Sequence, residues 1–355
     1  MKKSVSFFAI CLLVSAGRLP VFAQGDLSEL IKSGPADATR LAAAYLDPLF
    51  KGFGVGLNSG WMNTGRTKQT GHIEIRLSGS GAFVPKDDKT FDVTTLGLSN
   101  KIALAPGSGP TAQTFFGRET AGPTMQVKDN SGNVVETFSL PKGTGIPLVP
   151  APQLQVTLGL PKNFDVTARY IPETKLGDDF GKVSLIGGGV KFEVLPLLNK
   201  TADRILPFNV AVGLGYTRLK YTYDLDINPP GGSAPKDISQ VKDFSGQRVD
   251  ASFSGFNADA IISKKLLFFT PFFSVGYNSS KTNVGLVGNY PLVTDVVLGV
   301  KQYTTFTDPV SIKQKDVNGL KSTVGFQLDM AFLKFYGSFT AAQYKLFNAG
   351  IGIGI

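Results

Sequence analysis

Hydrophobic and polar residues alternate strictly along much of the chain. Residues 153–160, for example, place Leu154, Val156 and Leu158 on one face and glutamine and threonine on the other. A period of two predicts β-strands, and the longer segments reach the ten residues or so that a tilted strand needs to cross a bilayer. Strands of soluble sandwiches usually have about five or six residues. This pattern predicts strands at 53–63, 72–83, 153–160, 165–171, 183–194, 208–223, 249–263, 269–282, 321–332, 334–340 and 344–355.

Segment 208–223 shows the order of side chains expected of a membrane strand. The odd positions from 211 to 217 carry only alanine, glycine and threonine, which are small enough for a crowded barrel interior. Its even positions pass from an apolar band through an aromatic residue to charge, which is the order met in crossing from hydrocarbon through an interface into water. These even positions are Val210, Val212, Leu214, Tyr216, Arg218 and Lys220.

The carboxyl-terminal segment 344–355 also has the pattern of a membrane strand. Apolar residues alternate with asparagine and glycine, and the chain stops on the apolar Ile355, where outer-membrane barrels usually have an aromatic residue. The closing strand of such barrels is similar and carries the recognition signal for the barrel-assembly machinery. We therefore expect this machinery and outer-membrane lipid as partners.

The number of strands follows from closure. The pattern predicts an odd number of strands. A closed antiparallel barrel whose two chain ends lie on the same side of the membrane needs an even number. At least one further strand is expected within 91–100, 125–139 or 292–305. The predicted fold is all-β, a transmembrane antiparallel barrel of about twelve strands, with about ten to fourteen allowed.

The first residues have the form of a secretory signal peptide. Lys2 and Lys3 precede an apolar run at 5–16, and Ala23 provides the small residue at which a signal peptidase cuts. Residues 1–23 are therefore predicted to be a signal peptide, with export to the outer membrane of a Gram-negative cell.

A short helical segment is predicted next. Pro35 and Asp37 suit a first helical turn, and Pro48 is expected to end the helix. We assign 24–50 to this amino-terminal segment and 51–355 to the barrel. The helix could pack against the end of the sheet or enter the barrel lumen as a plug, and the sequence leaves both arrangements open.

Composition excludes several kinds of chemistry. One histidine and one cysteine in 355 residues exclude a disulfide framework and zinc sites built from histidine or cysteine clusters. The net charge of +9 is scattered, which argues against nucleic acid as a partner. The sequence has no nucleophile elbow, phosphate-binding loop or dinucleotide fingerprint, and a histidine-dependent hydrolase would have to use His72. We expect no enzyme activity, cofactor or metal.

A barrel with lipid outside has a polar interior. Polar residues that alternate with the apolar residues of the same strand lie on its other face, so they are predicted to face the lumen. They would either fill and brace the barrel or line a solute path gated by the helix at 36–46. The predicted lumen-lining residues are Glu74, Arg76, Arg169, Lys191, Glu193, Gln327, Asp329 and Tyr336.

Several segments resemble a domain-of-unknown-function family of bacterial outer-membrane β-barrel proteins. They are 45–54, 60–64, 161–162, 166–170 and 185–189. A helical segment ahead of a barrel is also similar in layout to long-chain fatty acid and hydrocarbon transporters. The resemblance implies an outer-membrane barrel and carries no chemistry.

Two functions therefore remain open. One is a channel or transporter for a small apolar solute, with the amino-terminal helix as a hatch in the lumen. The other is a structural or surface-interaction barrel without an open pore.

Overall fold

Ten antiparallel strands form a closed barrel in the computed structural model, which describes residues 29–177, 181–198 and 206–354. Each strand pairs with the next one along the chain, and the last pairs with the first. The predicted signal peptide and Ile355 lie outside the described residues. The strands are β1 Ile73–Phe83, β2 Leu148–Leu160, β3 Phe164–Lys175, β4 Lys182–Glu193, β5 Asn209–Asp224, β6 Arg248–Ser263, β7 Phe269–Val287, β8 Val310–Met330, β9 Leu333–Ala341 and β10 Leu346–Gly354.

The described residues form a barrel of ten strands, so the central expectation of about twelve is wrong, although ten lies within the expected range. The regions expected to supply further strands form small sheets in the long loops, because alternation looks the same in a loop hairpin as in a barrel wall. The short strands are Thr90–Asp92, Ile102–Leu104, Thr111–Gln113, Thr124–Lys128, Val134–Ser139, Ala234–Pro235, Asn289–Val297 and Val300–Thr307, with 3₁₀ turns at Lys86–Lys89 and Val93–Leu96.

The two ends of the barrel differ. β1 begins and β10 ends at what we call the turn end, where most connections are short: 161–163, 264–268 and 331–332, with a longer one at 194–208 that contains helix α2, Leu195–Leu198. At the opposite end, the loop end, the connections 84–147, 225–247 and 288–309 form a folded cap over the barrel.

Helix α1 spans Pro35–Leu57 and continues through Pro48. The expected helix end at Pro48 and the expected strand at 53–63 are therefore wrong. A proline inside a helix costs about 3 kcal/mol, but α1 buries residues on several faces, Phe50 and Leu57 among them, and this packing outweighs the lost hydrogen bond. None of the described helices is long and apolar enough to cross a membrane.

The predicted alternation of the barrel strands is confirmed by side-chain exposure. Val156 is 41% exposed, whereas its neighbour Gln155 is 2% exposed. Leu214 and Ile351 are likewise half exposed on the outer face. The outside of the barrel is thus apolar and its inside is polar.

Candidate functional site: the plugged lumen

Residues 35–69, which we call the plug, pass through the inside of the barrel. Glycines on opposite sides of α1 let the helix fit. A Cβ atom on Gly56 would lie 2.7 Å from the Cβ of Ala151, and one on Gly52 would overlap Val149. A Cβ atom on Gly54 would collide with the opposite wall, formed by β7 and β8. A ten-stranded barrel is narrow, so only a helix without side chains at these points can pass.

Arg169 of β3 holds the end of the helix. It is 1% exposed and donates hydrogen bonds to the carbonyl oxygens of Leu57 (2.8 Å) and Ser59 (2.7 Å). Its Nε donates to Gln155 Oε1 at 3.2 Å, and its guanidinium lies 3.7 Å from the ring centroid of Trp61. One side chain from the wall thus binds the plug through two carbonyls and one aromatic ring.

Two further cations act in the same way. Lys321 donates to the carbonyl of Asn58 at 3.0 Å while forming an ion pair with Asp259 at 3.1 Å. Arg76 donates to the carbonyl of Gly60 at 2.5 Å. The last carbonyls of a helix have no partners within it and carry the negative end of its dipole. Arg169 at Leu57 and Lys321 at the C-cap residue Asn58 therefore complement the end of α1 in both hydrogen bonding and charge, and Arg76 holds the chain just beyond it.

Trp61 occupies a slot made by missing side chains. Cβ atoms on Gly189 of β4 or Gly215 of β5 would overlap the indole ring, and one on Gly213 would lie 2.6 Å from the sulfur of Met62. Close packing against Trp61 therefore accounts for the glycine at position 189 within β4.

Carboxylates hold the last part of the plug near the turn end. Glu193 accepts hydrogen bonds from the backbone N–H (3.1 Å) and the hydroxyl (3.0 Å) of Thr67. Asp165 accepts from the backbone N–H of Lys68 at 2.9 Å, and the Lys68 ammonium pairs with Glu74 at 2.6 Å. The plug is therefore held along its length, by cations at the helix end and by carboxylates beyond it.

The predicted lumen residues lie around this plug. Lys191 donates to the carbonyl of Arg66 at 2.7 Å, and the ring of Tyr336 lies 5.0 Å from the guanidinium of Arg76. Asp329 is only half-buried and lies near Lys334. The other seven, Glu74, Arg76, Arg169, Lys191, Glu193, Gln327 and Tyr336, are buried.

The sequence interpretation missed a polar stripe on β6 and β7. Asn257 and Asn278 face each other across the two strands, and Asp259 and Ser280 continue the same faces. Asn257, Asn278 and Ser280 are buried, and the side chain of Asp259 is 7% exposed. All four carry side-chain atoms without a hydrogen-bond partner among the described residues. All four lie within the predicted strands 249–263 and 269–282, at the positions that alternate with the outward-facing residues. This alternation would have identified them as lumen residues.

Space inside the barrel is small. A cavity of about 20 Å³ lies between the plug and the wall near Trp61, Lys68 and Glu74, which is room for about one water molecule. Among residues 29–177, 181–198 and 206–354, no three histidine, cysteine or carboxylate side chains are grouped as a metal site would require. His72 is exposed at the start of β1.

The chain belongs to a family of unknown function, DUF6588, whose profile matches residues 1–355. No curated protein matches it. Similar solved structures include the outer membrane protease OmpT of Escherichia coli, at 9% identity over 84% of this chain and 100% of that one, with a TM-score of 0.32. The outer membrane protein OprG of Pseudomonas aeruginosa has 12% identity over 81% and 98%, with a TM-score of 0.28. The attachment invasion locus protein Ail of Yersinia pestis has 6% identity over 81% and 100%, with a TM-score of 0.25.

Proposed function

We propose that this protein is an outer-membrane β-barrel that its own plug keeps closed, and that it works at its loop end as a structural or surface-interaction barrel. The membrane location is supported by the inverted polarity of the wall. Val324 and Ile353 are half exposed on the outside, whereas Glu74 and Arg169 are buried inside. Lipid outside favours this arrangement, and closure leaves no strand edge unpaired in the bilayer.

The plug and the cap share one hydrophobic core, and this observation is the main support for the closed state. Leu41 and Phe50 of α1 are 0% and 1% exposed within a cluster that includes cap residues. The ring of Tyr45 lies 5.9 Å from that of Phe115, edge to face, and the Tyr45 hydroxyl donates to the carbonyl of Lys142 at 2.9 Å. Pulling the plug out would break the core of the cap, so this packing opposes withdrawal of the plug.

Gated transport is the second candidate, because one observation favours it. The polar stripe of Asn257, Asp259, Asn278 and Ser280 runs beside the plug with polar atoms that need partners. A wall that only packed a fixed helix would be apolar there, as it is at Val149. In this function the plug is a hatch and the predicted lumen residues line the path of a small solute. The stripe itself would suit a polar solute better than an apolar one.

A disulfide tether separates the two functions. Asn58→Cys with Gly255→Cys, in a Cys11→Ser background, joins the end of α1 to β6. A Cβ atom on Gly255 would lie 3.1 Å from the Cγ of Asn58, the position that a cysteine sulfur takes, and this spacing suits a disulfide with its S–S bond of about 2.05 Å. The measurement is the flux of small sugars and amino acids into liposomes, with the tether oxidised and then reduced.

For a closed surface barrel, flux stays at the level of empty liposomes in both redox states. For a gated transporter, reduction raises the flux and oxidation abolishes it, and that result would overturn the closed-barrel proposal. The single variants Asn58→Cys and Gly255→Cys are the matched controls, because each carries one of the two cysteines and cannot form the tether.

A further inference from the structure

The beginning of α1 lies at the loop end of the barrel. Asp37 accepts hydrogen bonds from the backbone N–H (2.9 Å) and the hydroxyl (2.5 Å) of Ser99 in the cap. Arg40 donates to the carbonyl of Gly97 at 2.5 Å, also in the cap. Each of these contacts is to the connection between β1 and β2, on the far side of the barrel from the start of β1.

The end of the plug lies at the turn end. Gly65 N–H donates to the hydroxyl of Ser263, the last residue of β6, at 2.8 Å. Gly71 N–H donates to the carbonyl of Gly159, next to the turn between β2 and β3, at 2.9 Å. β1 begins there, at Ile73. The chain therefore passes through the barrel once, from loop end to turn end, before it builds the wall.

The lengths of the connections orient the barrel in the membrane. Outer-membrane barrels have short turns on the periplasmic side and long loops outside. The cap, with its connections 84–147, 225–247 and 288–309, is then outside, and the turns 161–163 and 331–332 are periplasmic. An even number of strands and a carboxyl-terminal strand that ends at the turn end agree with this orientation.

We infer that the amino-terminal end of the plug is on the outer surface of the cell, so that the barrel carries the chain ahead of α1 across the outer membrane and presents it beside the cap. The two ends of the described chain are then on opposite sides of the membrane. This inference rests on the proposed outer-membrane location. It adds a direction of threading, which the closed state of the barrel does not by itself require.

Single-cysteine labelling of intact cells tests the direction. In a Cys11→Ser background, Ala36→Cys places a thiol on an exposed residue of the first turn of α1. Leu298→Cys, 99% exposed in the cap, marks the outside, and Leu267→Cys, 87% exposed in a turn, marks the periplasm. The probe is a membrane-impermeant maleimide, applied before and after the outer membrane is permeabilised. Lys32→Cys, ahead of α1, is a second reporter of the same side.

We expect the thiols at 36, 32 and 298 to be labelled on intact cells and the thiol at 267 to be labelled only after permeabilisation. If 298 and 267 behave in this way but 36 and 32 need permeabilisation, the threading direction is wrong while the barrel proposal stands. If 298 also needs permeabilisation, the orientation of the barrel is wrong and the inference fails with it. If the protein is recovered without detergent, the membrane proposal fails and the inference fails as well.

Discussion

Replacing Arg169 by methionine should release the plug without removing the bulk of the side chain. Arg169 makes hydrogen bonds to the carbonyls of Leu57 and Ser59 and stacks on Trp61. Each hydrogen bond from a charged group contributes about 1.5 kcal/mol or more, and the cation–π contact contributes at least about 1 kcal/mol. Together these contacts stabilise the inserted plug by about 4 kcal/mol, which corresponds to about a thousandfold change in the equilibrium between inserted and released plug.

The assay is the protection of a thiol that the plug covers. Ser280 faces Gly54 of α1 and is 3% exposed, so Ser280→Cys changes the wall very little. With Arg169 present, a small water-soluble thiol reagent should react very slowly with this cysteine. With Arg169→Met, the rate should rise by up to about a thousandfold, in proportion to the released fraction. Arg218→Met is the matched control, because Arg218 is exposed on β5 and does not touch the plug.

An unchanged labelling rate in Arg169→Met, combined with a lower melting temperature, would refute the reasoning. It would mean that Arg169 braces the wall alone and that the plug is held by its other contacts. Equal acceleration in Arg169→Met and Arg218→Met would also refute it, since the effect would then come from general destabilisation of the barrel.

Three further predictions follow from the lipid face, the glycine contacts and the cap. Leu214→Arg on the outer face should lower the free energy of unfolding by about 2–4 kcal/mol, because this face contacts lipid. If the face contacted water, the change measured by urea unfolding would be within about 0.5 kcal/mol. Gly56→Val should prevent the heat-modifiable gel shift of a closed barrel because of overpacking, and Gly188→Val, where a Cβ meets open space, should preserve it. Burial and the hydrogen bond to Asp88 of the cap raise the pKa of Tyr344, which lies between β9 and β10. The stability that this tyrosine contributes is therefore fully present below the pKa of about 10 that it has in the unfolded chain, and it decreases above that pH. Tyr344→Phe should therefore make the melting temperature fall less between about pH 10 and 11.

The barrel wall could be predicted from the sequence because its two faces meet different surroundings. Lipid outside and polar contacts inside impose a period of two, so parity alone places Val156 outward and Gln155 inward. The number of strands was less readable. The hairpin Thr124–Lys128 with Val134–Ser139 alternates as well, although it packs in the cap and does not join the wall.

The plug could be predicted only in part, because its glycines recur at every second position, which is also the period of a β-strand. Gly52, Gly54 and Gly56 alternate with larger residues, which suggested a strand at 53–63. In the structure the same spacing places Gly52 and Gly56 on one face of a helix and Gly54 on the opposite face, where the two walls approach. The partners of Arg169 were not readable at all, since they are backbone carbonyls and no side-chain pattern marks them.

The interior charges explain why the wall and the plug need each other. Arg169 is 1% exposed, and its described contacts are to the carbonyl oxygens of Leu57 and Ser59, the amide oxygen of Gln155 and the ring of Trp61. A buried guanidinium that loses such partners must be hydrated, because an unsatisfied buried charge is very costly. Withdrawal of the plug therefore requires water to fill the lumen in the same step. Release should accordingly be cooperative, with the helix end, the indole slot and the lumen water all changing together.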